Sequence, residues 1–298
     1  MPLSRRLHLT FLGCGHIGKA LLGALLPSIT KPSSPIAKIT VALKRQESYL
    51  ALQSQFHNTG PVSFVYRQNT QAVQDADAIL LAFPPDQIHD VLGSAGMREA
   101  LKRKTIISLL ARTPRAELER GLQGGQEEGV RIIRAMPTIG TEILESATLL
   151  AIPGTGTAPG TLTQEEKEEE EALELATWIF TSVGKVFRLS DDQFDTATGI
   201  SAFSNALATV AIQMIAEKAV AEGIPVEHAI SITSQCIRGT VGLISSGVSP
   251  GVLERSLSAP GSITGQAIEG LKGGRLEEVL GGVLERAVVR ARDTGDSG

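Results

Sequence analysis

Three glycines near the start of the chain have the spacing of a turn that holds the phosphates of a dinucleotide. The stretch FLGCGHIG places them at Gly13, Gly15 and Gly18, after a short apolar run. The first glycine permits the sharp bend, the second lets the backbone approach a pyrophosphate, and the third lets a helix pack closely. The helix N-terminus adds N–H donors. The residues assigned to the cofactor are Gly13, Gly15, His16, Ile17 and Gly18; a purely structural glycine bend is the alternative.

Two cations further along the chain indicate which dinucleotide is bound. Lys44 and Arg45 follow the predicted second strand, where an NAD site usually has an Asp or Glu that binds the ribose 2′-OH. A guanidinium at that place can bind a 2′-phosphate through two parallel hydrogen bonds. The sequence therefore predicts NADPH rather than NADH as the cofactor. The alternative is a pair of exposed cations with no ligand.

The elements that would position these residues are short apolar strands alternating with helices. This alternation favours a mostly parallel α/β sheet of Rossmann type, whose first turn carries the glycines. The helix after the glycines is predicted to end at Pro27, because proline disfavours a helix interior. The predicted strands cover residues 7–12, 38–43, 63–67, 78–83, 105–111, 129–137 and 147–153.

The sequence pattern changes in the second half of the chain. A Gly/Thr/Pro-rich loop at 154–163 precedes a predicted helix from Gln164 to Lys185, which Thr163 can cap. From about Asp191 only helical patterns remain, with helices predicted at 201–222, 226–246, 250–258, 263–271 and 276–292. The chain is therefore predicted to contain a dinucleotide-binding domain, residues 1–190, and an all-α substrate-binding and dimerisation domain, residues 191–298.

The composition argues against several other functions. A formal net charge of −4 offers no basic stripe for nucleic acid. The two cysteines, Cys14 and Cys236, are far apart, and the five histidines lack metal-ligand spacing, so no disulfide or metal site is expected. No apolar run approaches the length of a membrane span. We expect a cytoplasmic protein without a membrane partner.

With both halves considered, the chain resembles the pyrroline-5-carboxylate reductase family over nearly its whole length. The resemblance implies NADPH- or NADH-dependent reduction of 1-pyrroline-5-carboxylate, a small cyclic imine acid, to L-proline. It also implies a helical domain that forms an intertwined homodimer, often assembled into larger rings. The motifs that carry it are FLGCGHIG, AILLAFPPDQIHDVL, IISLLA, RAMPTIG, DTATGISAFSNA, QCIRG and, above all, SLSAPGSITGQAIEGL.

The family's functional residues can be placed on the matching motifs. The resemblance implies that the Thr264 hydroxyl hydrogen-bonds the imine or amine nitrogen, as the orienting or proton-relaying catalytic group. A threonine that only begins a helix is the alternative. Met136 and Pro137 would face the nicotinamide, and Ala82, Phe83 and Pro84 would lie along the cofactor. The implied substrate-binding residues are Ser201, Ala202, Phe203, Ser204, Asn205, Gly261 and Ser262, with 201–205 forming a carboxylate-binding loop before the long helix.

The substrate half departs from the family's pattern more than the cofactor half does. The family's Ser-Gly-Ser-Gly-Pro loop reads Ser-Ala-Phe-Ser-Asn at residues 201–205, so side chains replace two glycines and Phe203 brings an aromatic ring. After Met-Pro the usual Asn-Thr-Pro is Thr-Ile-Gly, and the usual Gly-Gly is Gly261-Ser262. Two alternatives therefore stay open: a reductase of a substituted or different cyclic imine, and a catalytically silent NADPH-binding relative.

Overall fold

Strands and helices alternate through the first two thirds of the computed structural model, which describes residues 6–122, 129–152 and 163–292. The strands form one sheet in the order β3-β2-β1-β4-β5-β6-β7-β8, and only the β6–β7 pair is antiparallel. The predicted mostly parallel sheet is confirmed. The strands are β1 Leu7–Leu12, β2 Ile36–Leu43, β3 Val62–Tyr66, β4 Ala78–Leu81, β5 Thr105–Ser108, β6 Arg131–Met136, β7 Ser146–Ile152 and β8 Gly184–Ser190.

Helices cover both faces of this sheet and enclose two apolar cores. One core contains Phe11, Leu80 and Phe180, and the other contains Ile79, Leu81 and Ile106. Successive residues of a strand point to opposite faces of the sheet. On β4, Leu80 therefore points into the first core, and its neighbours Ile79 and Leu81 point into the second. The helices are α1 His16–Ile29, α2 Gln46–Gln55, α3 Asn69–Gln74, α4 Ile88–Leu92, α5 Met97–Leu101, α6 Arg115–Gly121 and α7 Gln164–Thr181.

Several strand ends differ from the prediction by a few residues, for example β5, which ends at Ser108 rather than at residue 111. Two predicted helix ends in this region are also wrong. Helix α1 continues past Pro27 to Ile29, because a proline in the last turn removes only one hydrogen bond near the helix end. The helix predicted to reach Lys185 ends at Thr181, and residues from Gly184 form β8. This strand pairs with β7 alone, at the sheet edge. Its mixture of polar and apolar residues conceals the strand pattern. The Thr163 cap is confirmed by a capping box with Glu166.

The remaining helices are α8 Asp191–Ala221, α9 Val226–Ser245, α10 Pro250–Leu257, α11 Ile263–Gly273 and α12 Leu276–Arg292. The all-helical C-terminal region is thus confirmed. The chain divides into two compact units, residues 1–198 with 291–298, and residues 199–290. The functional division predicted between residues 190 and 191 stays a prediction. The predicted loop at 154–163 lies outside the described residues except for Thr163.

Helix α8 is longer than predicted, because it begins at Asp191 rather than Ser201. Acidic residues in its first turn suit the positive end of the helix dipole, and Phe194 is buried. By length and hydropathy α8 could also cross a membrane, although core helices of soluble proteins pass the same test. Within the described residues it is the single helix that does so.

Candidate functional site

The glycine turn joins β1 to α1 at the carboxyl edge of the sheet, and its three glycines have different surroundings. Gly13 has a φ of +78°, and a Cβ there would lie 2.7 Å from the Ala82 carbonyl oxygen. A Cβ on the buried Gly18 would lie 3.3 Å from the Ala82 Cβ. Gly15 is exposed, and the nearest atom to its added Cβ is 4.0 Å away. Gly13 and Gly18 therefore serve packing, whereas Gly15 leaves open space at the N-terminus of α1.

A cleft of about 510 Å³ opens beside this turn and brings together most of the predicted cofactor residues. Lys44 and Arg45 enter it from the end of β2, where Arg45 immediately precedes α2. Of the described residues that line it, three are cationic and none is acidic. The lining residues are Gly13, Cys14, Gly15, Leu43, Lys44, Arg45, Ser48, Arg67, Ala82, Phe83, Pro84 and Gln87.

The third cation, Arg67, is one that the sequence reasoning missed. It follows β3, and its backbone N–H donates to the Leu43 carbonyl at 2.9 Å. The parallel register pairs Leu43 with Tyr66, so the residue after each strand reaches the same edge of the sheet. This register is the signal that could have revealed Arg67, since parallel strands bring their carboxyl ends together. Ser48 and Gln87 are further lining residues without a sequence motif.

The segments after β4 and β6 also reach this edge. The Ala82 N–H donates to the Leu12 carbonyl at 2.9 Å, which holds the Ala82–Pro84 segment against the glycine turn. Met136 and Pro137 end β6 and lead into a 3₁₀ turn, Ile139–Ile143. In that turn the Glu142 carboxylate contacts the His16 imidazole. His16 and Ile17 begin α1. The sheet therefore places all the predicted cofactor residues along one edge.

Cys14 lies inside the glycine turn but is not a reactive thiol. Its burial raises the pKa of the thiol to about 12, which the nearby Lys19 only partly offsets. A thiol with this pKa carries almost no thiolate near neutral pH.

The described residues contain no group of three or more His, Cys, Asp or Glu side chains that could hold a metal ion.

The candidate residues of the second unit lie at two places, the start of α11 and the interior of α8. Thr264 is exposed in the first turn of α11. Ser262 caps this helix, and its hydroxyl accepts from the Gly265 N–H at 2.9 Å. Gly261 has a φ of +74°, a conformation that favours glycine. The turn thus exposes a hydroxyl beside helix N–H groups that have no acceptor inside the helix.

Residues 201–205 do not form the predicted loop. They lie within α8, ten residues after its start at Asp191, so their N–H groups bond to carbonyls of the preceding turn. The Ser204 hydroxyl likewise donates to the Ile200 carbonyl at 2.8 Å. The prediction of a helix-N-terminus anion site at 201–205 is therefore wrong. Phe203 is half-buried, whereas Ala202 and Asn205 are exposed.

The sheet with its glycine turn and the helical C-terminal region define the class: a Rossmann-like domain followed by an all-α domain. Family models match both parts. Residues 8–112 match the model described as NADP oxidoreductase, coenzyme F420-dependent, and residues 191–294 match the model described as pyrroline-5-carboxylate reductase dimerisation.

Individual proteins with the same name are also similar to this chain, over nearly its whole length. A delta-1-pyrroline-5-carboxylate reductase of Curvularia clavata is 28% identical, over 94% of this chain and 89% of its own. The structure of a pyrroline-5-carboxylate reductase from Coxiella burnetii superposes with a TM-score of 0.77 at 24% identity, covering 97% of this chain and 98% of that one. A Plasmodium falciparum pyrroline carboxylate reductase with NADP bound gives 0.74 at 20% identity, covering 97% and 98%. The resemblance to the pyrroline-5-carboxylate reductase family is confirmed.

Proposed function

We propose that this protein is an NADPH-dependent reductase that converts 1-pyrroline-5-carboxylate to L-proline, as a cytoplasmic enzyme of proline biosynthesis. The observation that carries the proposal is the match of both parts of one chain, residues 8–112 to an NADP oxidoreductase model and 191–294 to a pyrroline-5-carboxylate reductase dimerisation model. A nucleotide domain alone would leave the acceptor open, because the Rossmann fold serves many substrates. The second match narrows the acceptor to an imine acid.

The cleft at the sheet edge suits NADPH in shape and charge. The exposed Gly15 leaves room for the pyrophosphate at the start of α1, where helix N–H groups favour an anion. Lys44 and Arg45 provide cations for the 2′-phosphate. Bound there, NADPH would supply the hydride that reduces the C=N carbon. Ala82, Phe83, Pro84, Met136 and Pro137 would line the rest of the cofactor.

The chain's own contribution to the chemistry is to bind, orient and protonate the substrate. Protonation of the imine nitrogen makes the adjacent carbon electrophilic, so a hydroxyl held at that nitrogen favours hydride acceptance. We assign this role to Thr264, whose hydroxyl is exposed in the first turn of α11. The substrate carboxylate would bind at the same turn, near Gly261 and Ser262, because the N–H groups of residues 201–205 are used within α8.

Paired variants of Thr264 test this assignment. Thr264→Ala should lower kcat by about 100-fold, the lower end for a positioned proton-transfer group. Thr264→Ser keeps the hydroxyl and should retain most of the activity. The dissociation constant for NADPH, measured without imine, is the control and should not change. An alanine variant with full kcat would contradict the role of the hydroxyl.

A homodimer, or a larger homo-oligomer built from it, is part of the proposal. The helices of the second unit expose large apolar side chains, including Val210, Met214 and Ile232, at 53%, 64% and 59% of their surface. Exposed apolar surface of this extent marks an interaction site. The match of residues 191–294 to a dimerisation model supports a second copy of the chain as the partner.

A second candidate function is the reduction of a substituted or different cyclic imine. The observation that favours it is the continuous α8 through residues 201–205, where Ala202 and Ser204 replace the family's glycines and Phe203 replaces a serine. A panel of 1-pyrroline-5-carboxylate and ring-substituted analogues, compared by kcat/KM with NADPH, separates the two candidates. We expect the unsubstituted ring to be preferred; a large preference for a substituted ring would favour the second candidate.

A further inference from the structure

We propose that Arg67 determines cofactor specificity by binding the 2′-phosphate of NADPH together with Lys44 and Arg45. This inference rests on the proposed use of NADPH. It assigns a role to a residue outside the glycine turn and outside the pair of cations that follows β2. The supporting observations are its position, its orientation and the charge of the cleft that it lines.

The backbone fixes the position of Arg67 at the cleft. Its N–H donates to the Leu43 carbonyl at 2.9 Å, which joins the ends of β2 and β3. Its φ is +55°, in the left-handed region that non-glycine residues seldom adopt. The chain therefore turns sharply after Tyr66, and Arg67 joins Lys44 and Arg45 among the residues that line the cleft.

A neighbouring aromatic ring restrains the guanidinium. The Cζ atom of Arg67 lies 5.3 Å from the centroid of the Tyr66 ring, within the range of a cation–π interaction. The Tyr66 ring in turn lies 6.1 Å from that of Tyr49, on α2. A guanidinium restrained in this way loses less rotamer entropy when it binds a ligand.

The charge around Arg67 favours an anion with more than one negative charge. The described lining residues of the cleft include Lys44, Arg45 and Arg67 but no carboxylate. Lys44 and Arg67 also line an adjoining cleft of about 400 Å³, in which Asp90 is the one acidic residue among the described lining residues. Among ligands of the dinucleotide class, the 2′-phosphate supplies a charge near −2 that NADH lacks.

Binding measurements on the full chain test the role of Arg67 without any imine. The ligands are NADPH, NADH, 2′,5′-ADP and 5′-AMP, and calorimetry gives each dissociation constant. Arg67→Ala should weaken NADPH and 2′,5′-ADP by about 10- to 100-fold, the value of a charge-assisted hydrogen bond. The dissociation constants of NADH and 5′-AMP should change by less than about twofold. Arg67→Lys should give an intermediate loss, because it keeps the charge without the planar fork.

Arg103→Ala is the matched control. Arg103 is also exposed and has a φ of +58°, but it precedes β5 at the opposite edge of the sheet. Arg103→Ala should leave all four dissociation constants unchanged. Arg103→Ala and Arg67→Ala should both keep the wild-type melting temperature. Equal weakening of NADPH and NADH by Arg67→Ala, or no weakening of NADPH, would overturn the proposal. Because no imine is present, failure of the proposed reductase activity would be a separate result.

Discussion

The two compact units of the chain differ in where they place their apolar side chains. The sheet unit buries many of them in its interior, where Phe11, Leu80 and Phe180 have no exposed surface. In the helical unit Met214 and Ile263 are 64% and 89% exposed. Since burial of apolar surface is the main stabilising contribution to folding, the sheet unit contains its own core, whereas the proposed dimer would complete the core of the helical unit.

The largest expected effect is on assembly. Val210→Asp introduces a charge into the exposed apolar surface of α8, and burying an unpaired charge is strongly unfavourable. We expect a shift from dimer to monomer in light scattering coupled to size-exclusion chromatography.

Leu50→Asp is the matched control for assembly. Leu50, on α2 of the sheet unit, is 54% exposed, against 53% for Val210. It should leave the molecular mass unchanged. A Val210→Asp variant that stays dimeric at low micromolar concentration would refute the contrast between the two units.

The next largest effect concerns a charged cluster in the sheet unit. Arg134, on β6, is 9% exposed; it donates to Asp195 at 2.7 Å and lies 4.4 Å from the Phe194 ring centroid. Arg134→Met leaves Asp191 and Asp195, which are 39% and 29% exposed, without this partner. It should cost about 1.5–3 kcal/mol in the free energy of unfolding, measured with urea. The double variant Arg134→Met with Asp195→Leu should regain part of the lost free energy of unfolding. An unchanged midpoint for Arg134→Met would show that the cluster does not anchor the start of α8.

A smaller effect separates the two kinds of glycine in the turn. Gly13→Ala forces a side chain into the φ of +78° and within 2.7 Å of the Ala82 carbonyl oxygen, which should cost about 1–3 kcal/mol of stability. Gly15→Ala meets no close atom and should leave stability intact while weakening NADPH binding. Thermal melts and NADPH titrations of both variants check this. Equal losses of stability would contradict the distinction.

The pH dependence of stability should reflect His8, which is buried in the sheet unit. Burial lowers its pKa, although the hydrogen bond to the Asp75 carbonyl partly opposes this. The folded state therefore favours neutral His8, so below the ordinary value of about 6.5 the unfolded state binds more protons. Stability should be complete above pH 6.5 and fall as the pH drops below it. His8→Asn should reduce this slope, whereas His228→Asn, at an exposed position of α9, should not.

The smallest effect compares the two cysteines, one in each unit. Burial raises the pKa of Cys14 to about 12, whereas Cys236 is exposed on α9. Iodoacetamide at pH 8 should modify Cys236 and leave Cys14 unmodified for as long as the protein stays folded. Peptide mass spectrometry identifies the site. Rapid modification of Cys14 in the folded protein would contradict the raised pKa of its thiol.

Much of the sheet could be predicted because its strands are short apolar runs between helices. The glycine turn and the pair Lys44–Arg45 could also be predicted from the sequence. In the structure both line one cleft. These features depend on residues close together in the chain. Strand β8 was missed because an edge strand with Lys185 and Arg188 has no clear apolar run.

Other features depend on contacts that local sequence does not encode. The start of α8 was misplaced because the polar stretch 191–200 is stabilised as a helix partly by Arg134, which pairs with Asp195 across 61 positions of sequence. Arg67 was missed because only the pairing of β2 with β3 brings it near Lys44. Residues 201–205 were assigned to a loop from the family's glycines, but this chain has Ala202 and Ser204 in their places, which a helix accommodates better than glycine.

The most direct test of the account is the stoichiometry of NADPH oxidation and L-proline formation by the purified full chain. With 1-pyrroline-5-carboxylate present, we expect absorbance at 340 nm to fall and one L-proline to appear for each NADPH oxidised. NADH at the same concentration should react more slowly. NADPH binding without any oxidation in the presence of 1-pyrroline-5-carboxylate would contradict the account.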